Sequence, residues 1–212
     1  MAENPEKFEE ITTMVKNRFG SDSSYIISEY IQDVQCTLDC GFYVTKSGHI
    51  IYLGVQECTL ENFECSGGYI DLGKQEEYKQ QLYDKFVKPV SAYLHKKGYF
   101  GIVGIDIVRS PSGDYVVDMN PRINGNTSYL MLARSMAELA FSRSRFEMCE
   151  TFDFKSEQLV KKANSINEKN ANGRVIIMAA ADEGEKCHAS VSVFSDSKEM
   201  ADSLHDQLCQ YE

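Results

Sequence analysis

Two aspartates and an asparagine stand at a spacing that suits metal chemistry. The stretch "IVGIDIVRSPSGDYVVDMNPRINGNTS", residues 102–128, reads as two strand-like runs joined by the turn "RSPSGD". Pro111 and Gly113 are turn formers. A hairpin centred on Ser112 sets Asp106 opposite Asp118, Val108 opposite Val116 and Gly104 opposite Asn120. Directly opposed residues share a face, with Cβ atoms roughly 4.5–5.5 Å apart. Asp118 and Asn120 are two apart and share that face too. Ile105, Ile107, Val117 and Met119 then point the other way, to a core. Two carboxylates facing each other across a hairpin repel, and a cation between them removes the repulsion. Two carboxylates and one amide oxygen suit a hard cation such as Mg²⁺ or Mn²⁺. Arg122, just after Pro121, is placed to meet an anionic substrate or a transferring phosphoryl group. On spacing alone, a solvated hairpin with two exposed aspartates is the alternative.

The elements around the hairpin follow from periodicity. Residues 6–19 have helical spacing, and Gly20 ends the helix. Residues 25–31, 35–44 and 49–58 read as strands, with "TKSG" as the turn between the last two. Residues 61–73 read as a Gly-containing loop. Residues 75–97 form a long helical pattern with Pro89 as a kink point, and Gly98 stops it. A helix over 127–141 is capped by Thr127 or Ser128. Composition shifts near residue 150. Residues 155–173 are a polar connector or surface helix, 174–182 and 187–195 are strands, and 197–209 is a closing helix. The order predicts a largely antiparallel α+β fold.

Composition narrows the function classes. The chain has 212 residues, enough for one good-sized domain or one domain with an appendage. A formal net charge of -10 argues against a broad basic face for duplex nucleic acid. No run approaches the ~18 apolar residues that span a membrane. The acidic start "MAENPEKFEE" does not read as a secretory signal. Seven cysteines without repeated spacing predict reduced thiols in a cytoplasmic protein. There is no Cys-x-x-Cys pair, which favours scattered thiols over a zinc site. His49, His95, His188 and His205 lie in unrelated contexts and give no nucleophilic triad.

At Asp106 and "DMNPR", residues 118–122, the chain resembles the ATP-grasp superfamily, which includes biotin carboxylase and D-alanine–D-alanine ligase. The resemblance implies that Asp106, Asp118 and Asn120 hold Mg²⁺ or Mn²⁺ and that Arg122 contacts the reacting groups. The acids are often Glu in that family, and Asp moves the carboxylate back by one methylene. The segment "YIISEYIQDVQCTLDC" is similar to the family's adenine hinge. In that frame Ser28, Glu29, Tyr30 and Ile31 form the hinge. Backbone groups of Tyr30 or Ile31 pair with adenine, and Glu29 is the hinge acid. Gln35 takes the place of the ribose-binding Glu. Ser66, Gly67 and Gly68 suit a mobile flap, and Asn124, Gly125 and Asn126 suit an acceptor pocket. Ordinary turn chemistry explains both loops equally well.

The resemblance covers about residues 7–145. It lacks the phosphate-contacting Lys and the Gly-rich loop of the family's small lobe. The expectation is therefore the C-terminal part of an ATP-grasp enzyme, with the core over 1–150 and a connector plus strand–strand–helix extension over 151–212. The implied function is an ATP- and Mg-dependent ligase that joins a small-molecule carboxylate to an amine through an acylphosphate. Its expected partners are those substrates, with no nucleic acid and no membrane, and either a second copy or a partner chain that supplies the small-lobe elements. The alternative is a truncated, non-catalytic ATP-grasp module that binds a nucleotide or a partner.

Overall fold

The computed structural model describes residues 2–20, 22, 24, 26–61 and 64–210. They form two compact units, which meet in the chain between Val34 and Gln35.

In the first unit, α1 spans Pro5–Phe19. Asn4 caps it, its side-chain oxygen accepting from the Lys7 N–H at 2.8 Å. Pro5 fills the first turn, where a missing N–H costs nothing. Gly20 ends the helix at φ 96°. The strand expected over 25–31 is not formed. Tyr25 lies outside the described residues, and 26–31 have no regular structure. The β-branched pair Ile26 and Ile27 favours extended backbone, but a strand exists only where a neighbour completes its ladder. Without one, Ile26 stands 95% exposed.

The second unit is built on one eight-stranded sheet. Its strands are β1 (Cys36–Val44), β2 (Ile50–Glu61), β3 (Glu64–Asp71), β4 (Gly101–Ser110), β5 (Gly113–Asn120), β6 (Arg143–Phe152), β7 (Gly173–Glu183) and β8 (Lys186–Ser195). The spatial order is β5-β4-β1-β2-β3-β6-β8-β7. Every neighbouring pair is antiparallel. The α+β fold with a largely antiparallel, helix-flanked sheet is therefore as expected. Residue 150, the expected domain boundary, falls inside β6, and the sheet runs on through it.

Period-2 patterning gives β1 its two faces. Leu38, Cys40, Phe42 and Val44 are fully buried with Val103, Ile105 and Ile107 of β4, beneath Leu82, Val87 and Leu94. Those last three come from a broken helix: α2 (Gln75–Leu82), a π turn over Tyr83–Val87, and α3 (Lys88–Lys96). Pro89 explains the break. It offers no N–H, and its ring clashes with the carbonyl four residues back, so the chain widens to a π turn. The opposite face of β1 carries Thr37, Asp39 and Gly41. There α4 (Thr127–Glu138) sets Leu130 against Gly41 and Gly54. The expected cap at Thr127 or Ser128 is replaced by Asn126, which caps without a side-chain bond. Thr127 instead uses its hydroxyl to accept from the Asn124 N–H at 2.9 Å.

Beyond β3 the sheet packs under α5 (Ser156–Lys169) and α6 (Lys198–Cys209), with Leu159, Val193, Leu204 and Leu208 fully buried. All seven cysteines are free. Among the described residues no helix is long and apolar enough to cross a membrane.

The loop expected over 61–73 is largely strand. Ser66, Gly67 and Gly68 lie within β3, between β2 and β6, and form no flap. Glycine serves close approach here. A Cβ on Gly67 would stand 2.0 Å from the Phe146 carbonyl oxygen. Gly67→Ala is expected to lower stability by about 1–3 kcal/mol, read from the midpoint of urea unfolding. An unchanged midpoint would contradict this seating of β3 on β6.

Candidate functional site

The β4–β5 hairpin places its polar residues on the face opposite the α2–α3 core. Asp106 pairs with Asp118 and Gly104 with Asn120, as the spacing predicts. Beyond that point the register slips by one, so Ile107 faces Val116 and Val108 faces Tyr115. The expected Val108–Val116 pair is thus corrected by a bulge at Val117. The cause is the turn: Ser110 pairs with Gly113, leaving only Pro111 and Ser112 as the loop. Val117 is 54% exposed and does not join the core.

Register also supplies what the hairpin alone does not show. On the other side of β4, Asp106 pairs with Asp39 of β1, and Asp39 pairs with Gln56 of β2. Opposed residues share a face, so Asp118, Asp106, Asp39 and Gln56 form one row across four strands. Three of the four are carboxylates. Burial, and then the Asp106 charge and the Cys65 thiol, push Asp39 up to about 8, while the neighbouring Asn126 amide opposes the rise. Asp106 is raised too, by burial and then by Asp118, with Arg122 opposing. The row holds more negative charge than its surroundings compensate.

The end of β5 is tied by local hydrogen bonds. Asp118 Oδ1 accepts from the Met119 N–H at 2.8 Å, and its Oδ2 accepts from Asn120 Nδ2 at 2.9 Å. Asn120 Oδ1 accepts from Arg122 Nη2 at 3.1 Å, and Arg122 Nη1 donates to the Ile123 carbonyl at 3.1 Å. Asp118 and Arg122 are exposed, while Asp106 and Asn120 are half-buried. Beyond Arg122 the chain turns back over the sheet. A Cβ on Gly104 would meet the Asn124 side-chain amide at 1.8 Å and Asp39 Oδ1 at 3.4 Å. The missing side chain at 104 is what lets residues 121–126 close over the row.

The structure thus brings Asp106, Asp118, Asn120 and Arg122 together. Gln35 directly precedes β1, its N–H bonded to the Arg109 carbonyl at 2.8 Å, four residues from Asp39 and on the same strand face. Ser28, Glu29, Tyr30 and Ile31 belong to the other unit, where Ser28, Glu29 and Tyr30 are exposed and Ile31 is half-buried. Asp39 and Gln56 escape sequence reasoning. The available signal was a carboxylate between two apolar residues, "LDC", in the middle of a strand.

The donor set fits a hard divalent cation. It is all oxygen, it carries excess negative charge, and Asp118 gives access from solvent.

Comparison with known proteins gives three kinds of likeness. Residues 3–126 match the family model of the ATP-grasp domain. A tyramine–L-glutamate ligase of Methanocaldococcus jannaschii is 26% identical over 126 residues, which cover 59% of this chain and 38% of that protein. Among solved structures, the biotin carboxylase domain dimer of a Hydrogenobacter thermophilus 2-oxoglutarate carboxylase, with MgADP, ADP and bicarbonate, superposes with a TM-score of 0.61 at 14% identity. It is matched over 99% of this chain and 53% of its own. An N5-carboxyaminoimidazole ribonucleotide synthetase from Thermus thermophilus gives a TM-score of 0.58 at 13% identity, over 94% of this chain and 56% of its own. These structural likenesses concern the fold. The chain spans about half of each solved structure and less of the curated relative.

Two measurements follow from the row. Asp39 has an ordinary value of 3.8 when unfolded and about 8 when folded. Between these limits the folded chain holds the extra proton, so stability falls as pH rises from about 4 to 8 and levels off above. Urea unfolding of the metal-free protein across this range is expected to show that slope. Asp39→Asn is expected to flatten it, leaving the part due to Asp106. A wild-type profile that rises over the window would contradict the burial of Asp39. Separately, Gly104→Ala is expected to push Asn124 off the sheet. Faster amide hydrogen exchange over residues 121–126 would register this, and unchanged exchange would contradict it.

Proposed function

Because this chain belongs to the ATP-grasp family, we propose that it is the metal-holding part of an ATP- and Mg²⁺-dependent ligase joining a carboxylate to an amine. In this reading a substrate carboxylate takes the terminal phosphoryl group of ATP and releases ADP. The amine then displaces phosphate from the acylphosphate and leaves an amide. The observation that carries the reading is the pairing of Asp106 with Asp118 on the polar face, with Asn120 and Arg122 hydrogen-bonded beside them.

The residues at the end of the hairpin have roles that their geometry supports. Asp106, Asp118 and the Asn120 side-chain oxygen hold Mg²⁺ or Mn²⁺. When bound, the ion neutralises charge on the nucleotide phosphates. Arg122 uses Nη1 and Nη2 on Ile123 and Asn120 and keeps further N–H donors for an anion. We assign it to the substrate carboxylate or the transferring phosphoryl group. By the family resemblance, Ser28, Glu29, Tyr30 and Ile31 form the adenine hinge, where backbone groups of Tyr30 or Ile31 take adenine and Glu29 is the hinge acid, and Gln35 takes a ribose hydroxyl. The Lys and Gly-rich loop that clamp the β- and γ-phosphates come from outside these residues, in the whole protein or in a partner. The division at residue 150 then assigns nucleotide and metal binding to 1–150 and leaves 151–212 to extend the sheet. Seven free thiols suit a reducing compartment such as the cytoplasm.

The curated relative's substrates are an amine and an amino acid with carboxylates, which makes tyramine and L-glutamate the first pair to assay. Asp118→Asn is expected to weaken Mn²⁺ binding by at least about tenfold, measured by electron paramagnetic resonance, with the fold unchanged by circular dichroism. The same variant in the whole protein should lose acid- and amine-dependent ADP release. Equal Mn²⁺ affinity in the variant would remove the metal reading. Binding of Mn²⁺ and ATP without ADP release for any acid–amine pair would favour a non-catalytic nucleotide-binding module instead.

A further inference from the structure

Six buried side-chain nitrogen and oxygen atoms among the described residues lack a hydrogen-bond partner. Four belong to three residues at one end of the row: Asp39 Oδ1, Gln56 Oε1, and Nδ2 and Oδ1 of Asn126. Buried polar groups are nearly always paired, and an unpaired buried carboxylate oxygen is costly. Three of the four are acceptor oxygens, and together these ask for a donor ligand. Gln56 is 0% exposed and Asn126 is 2% exposed, so neither is an ordinary surface amide.

Geometry sets how these atoms face. Gln56 lies directly across from Asp39 on the neighbouring strand. Its Nε2 donates to the Gly67 carbonyl at 2.9 Å, which leaves the amide oxygen as the free end. Asn126 lies beside Asp39, close enough for its amide to favour the carboxylate. It is brought there by the segment that folds over Gly104. Asp106, Cys65 and Asn126 act most strongly on Asp39 after burial, and none of them is a cation.

The chemistry of the three groups selects a ligand class. Asp39 Oδ1, Gln56 Oε1 and Asn126 Oδ1 are three acceptors, and they carry one negative charge when Asp39 is ionised. A primary ammonium carries one positive charge and three N–H donors. A divalent ion prefers more anionic oxygens, and the row supplies those one strand further on, at Asp106 and Asp118. We propose that Asp39, Gln56 and Asn126 form the subsite that binds the protonated amine substrate. The proposal rests on the ligase reading and adds the residues that select the amine. Adjacent strands lie roughly 4.7–4.9 Å apart, so Asp39 sits one strand spacing from Asp106 and two from Asp118, the carboxylates assigned to the metal.

The probe is propylammonium, with tetramethylammonium and propanol as controls. It is followed by the side-chain amide resonances of Gln56 and Asn126 in the ¹⁵N-labelled protein. Propylammonium is expected to shift both signals. Tetramethylammonium, which has no N–H, and propanol, which has no charge, are expected not to. Asp39→Asn and Asn126→Ala should each weaken propylammonium roughly tenfold or more. Mn²⁺ affinity in Asp39→Asn should equal that of the wild type, whereas Asp118→Asn should show the reverse pattern. Absence of any propylammonium shift, with Mn²⁺ still bound through Asp118, would overturn the subsite and leave the ligase reading standing. Loss of Mn²⁺ binding in Asp39→Asn would also overturn it, by making Asp39 a metal ligand. Failure of the wild type to bind Mn²⁺ would remove the ligase reading itself, on which the subsite depends.

Discussion

Repulsion within one row of carboxylates is the constraint around which this polar face is organised. Antiparallel pairing of β4 with both β1 and β5 brings Asp39, Asp106 and Asp118 onto neighbouring strands at matching positions. Sheet register leaves them no way to separate, because a one-residue slip would turn Leu38, Cys40, Ile105 and Ile107 out of the core. The hydrophobic face fixes the register, and the register holds the charges together. In the proposed reading cost and function therefore have the same origin: the metal-free protein keeps unfavourable charge in place for a cation to relieve.

The segment after β5 shows how local chemistry serves that arrangement. Pro121 ends the strand by removing a backbone donor. Arg122 folds back on Asn120, and Gly104 leaves the space through which Asn124 and Asn126 approach Asp39. Helix α4 then anchors the segment, with Tyr129 stacked on Phe146 at a centroid distance of 4.7 Å and Leu130 set against Gly41. The polar loop is thereby held between a rigid hairpin and a buried helix, which is what a site needs to keep its geometry.

What could be read from the amino acids depended on sequence distance. Asp106 and Asp118 were legible because they lie within one hairpin: a turn centred on Ser112 pairs them, and in the structure the bulge at Val117 restores the pair that the two-residue turn alone would offset by one. Asp39 was not, because its pairing with Asp106 joins strands far apart in the chain and only the folded sheet reveals it. The bulge at Val117 was hidden by a symmetric choice of turn centre. β3 was misread because Gly67 and Gly68 have loop composition, whereas their role is to admit the Phe146 and Glu57 carbonyls to close contact. β6 was missed because its polar positions look solvated. Arg143 in fact meets Asp71 at 2.6 Å, and Arg145 meets Glu147 at 2.7 Å. Residues 26–31 erred the other way, since β-branched content without a ladder partner makes no strand.

The strand order also orders the charge. From β5 to β2 the row reads Asp118, Asp106, Asp39, Gln56, so negative charge thins from two adjacent carboxylates to one and then to a neutral amide. A divalent cation is best compensated at the dense end, and a monovalent ammonium at the sparse end. If the two positions were exchanged, the divalent ion would keep uncompensated positive charge and the pair of carboxylates would stay unneutralised. In the proposed reading the sheet thus sorts two cations by valence with one set of acids. Asp39 lies one strand from Asp106 and two from Asp118, and the ammonium held there passes a proton to the Asp39 carboxylate before the free amine displaces phosphate from the activated carboxyl group.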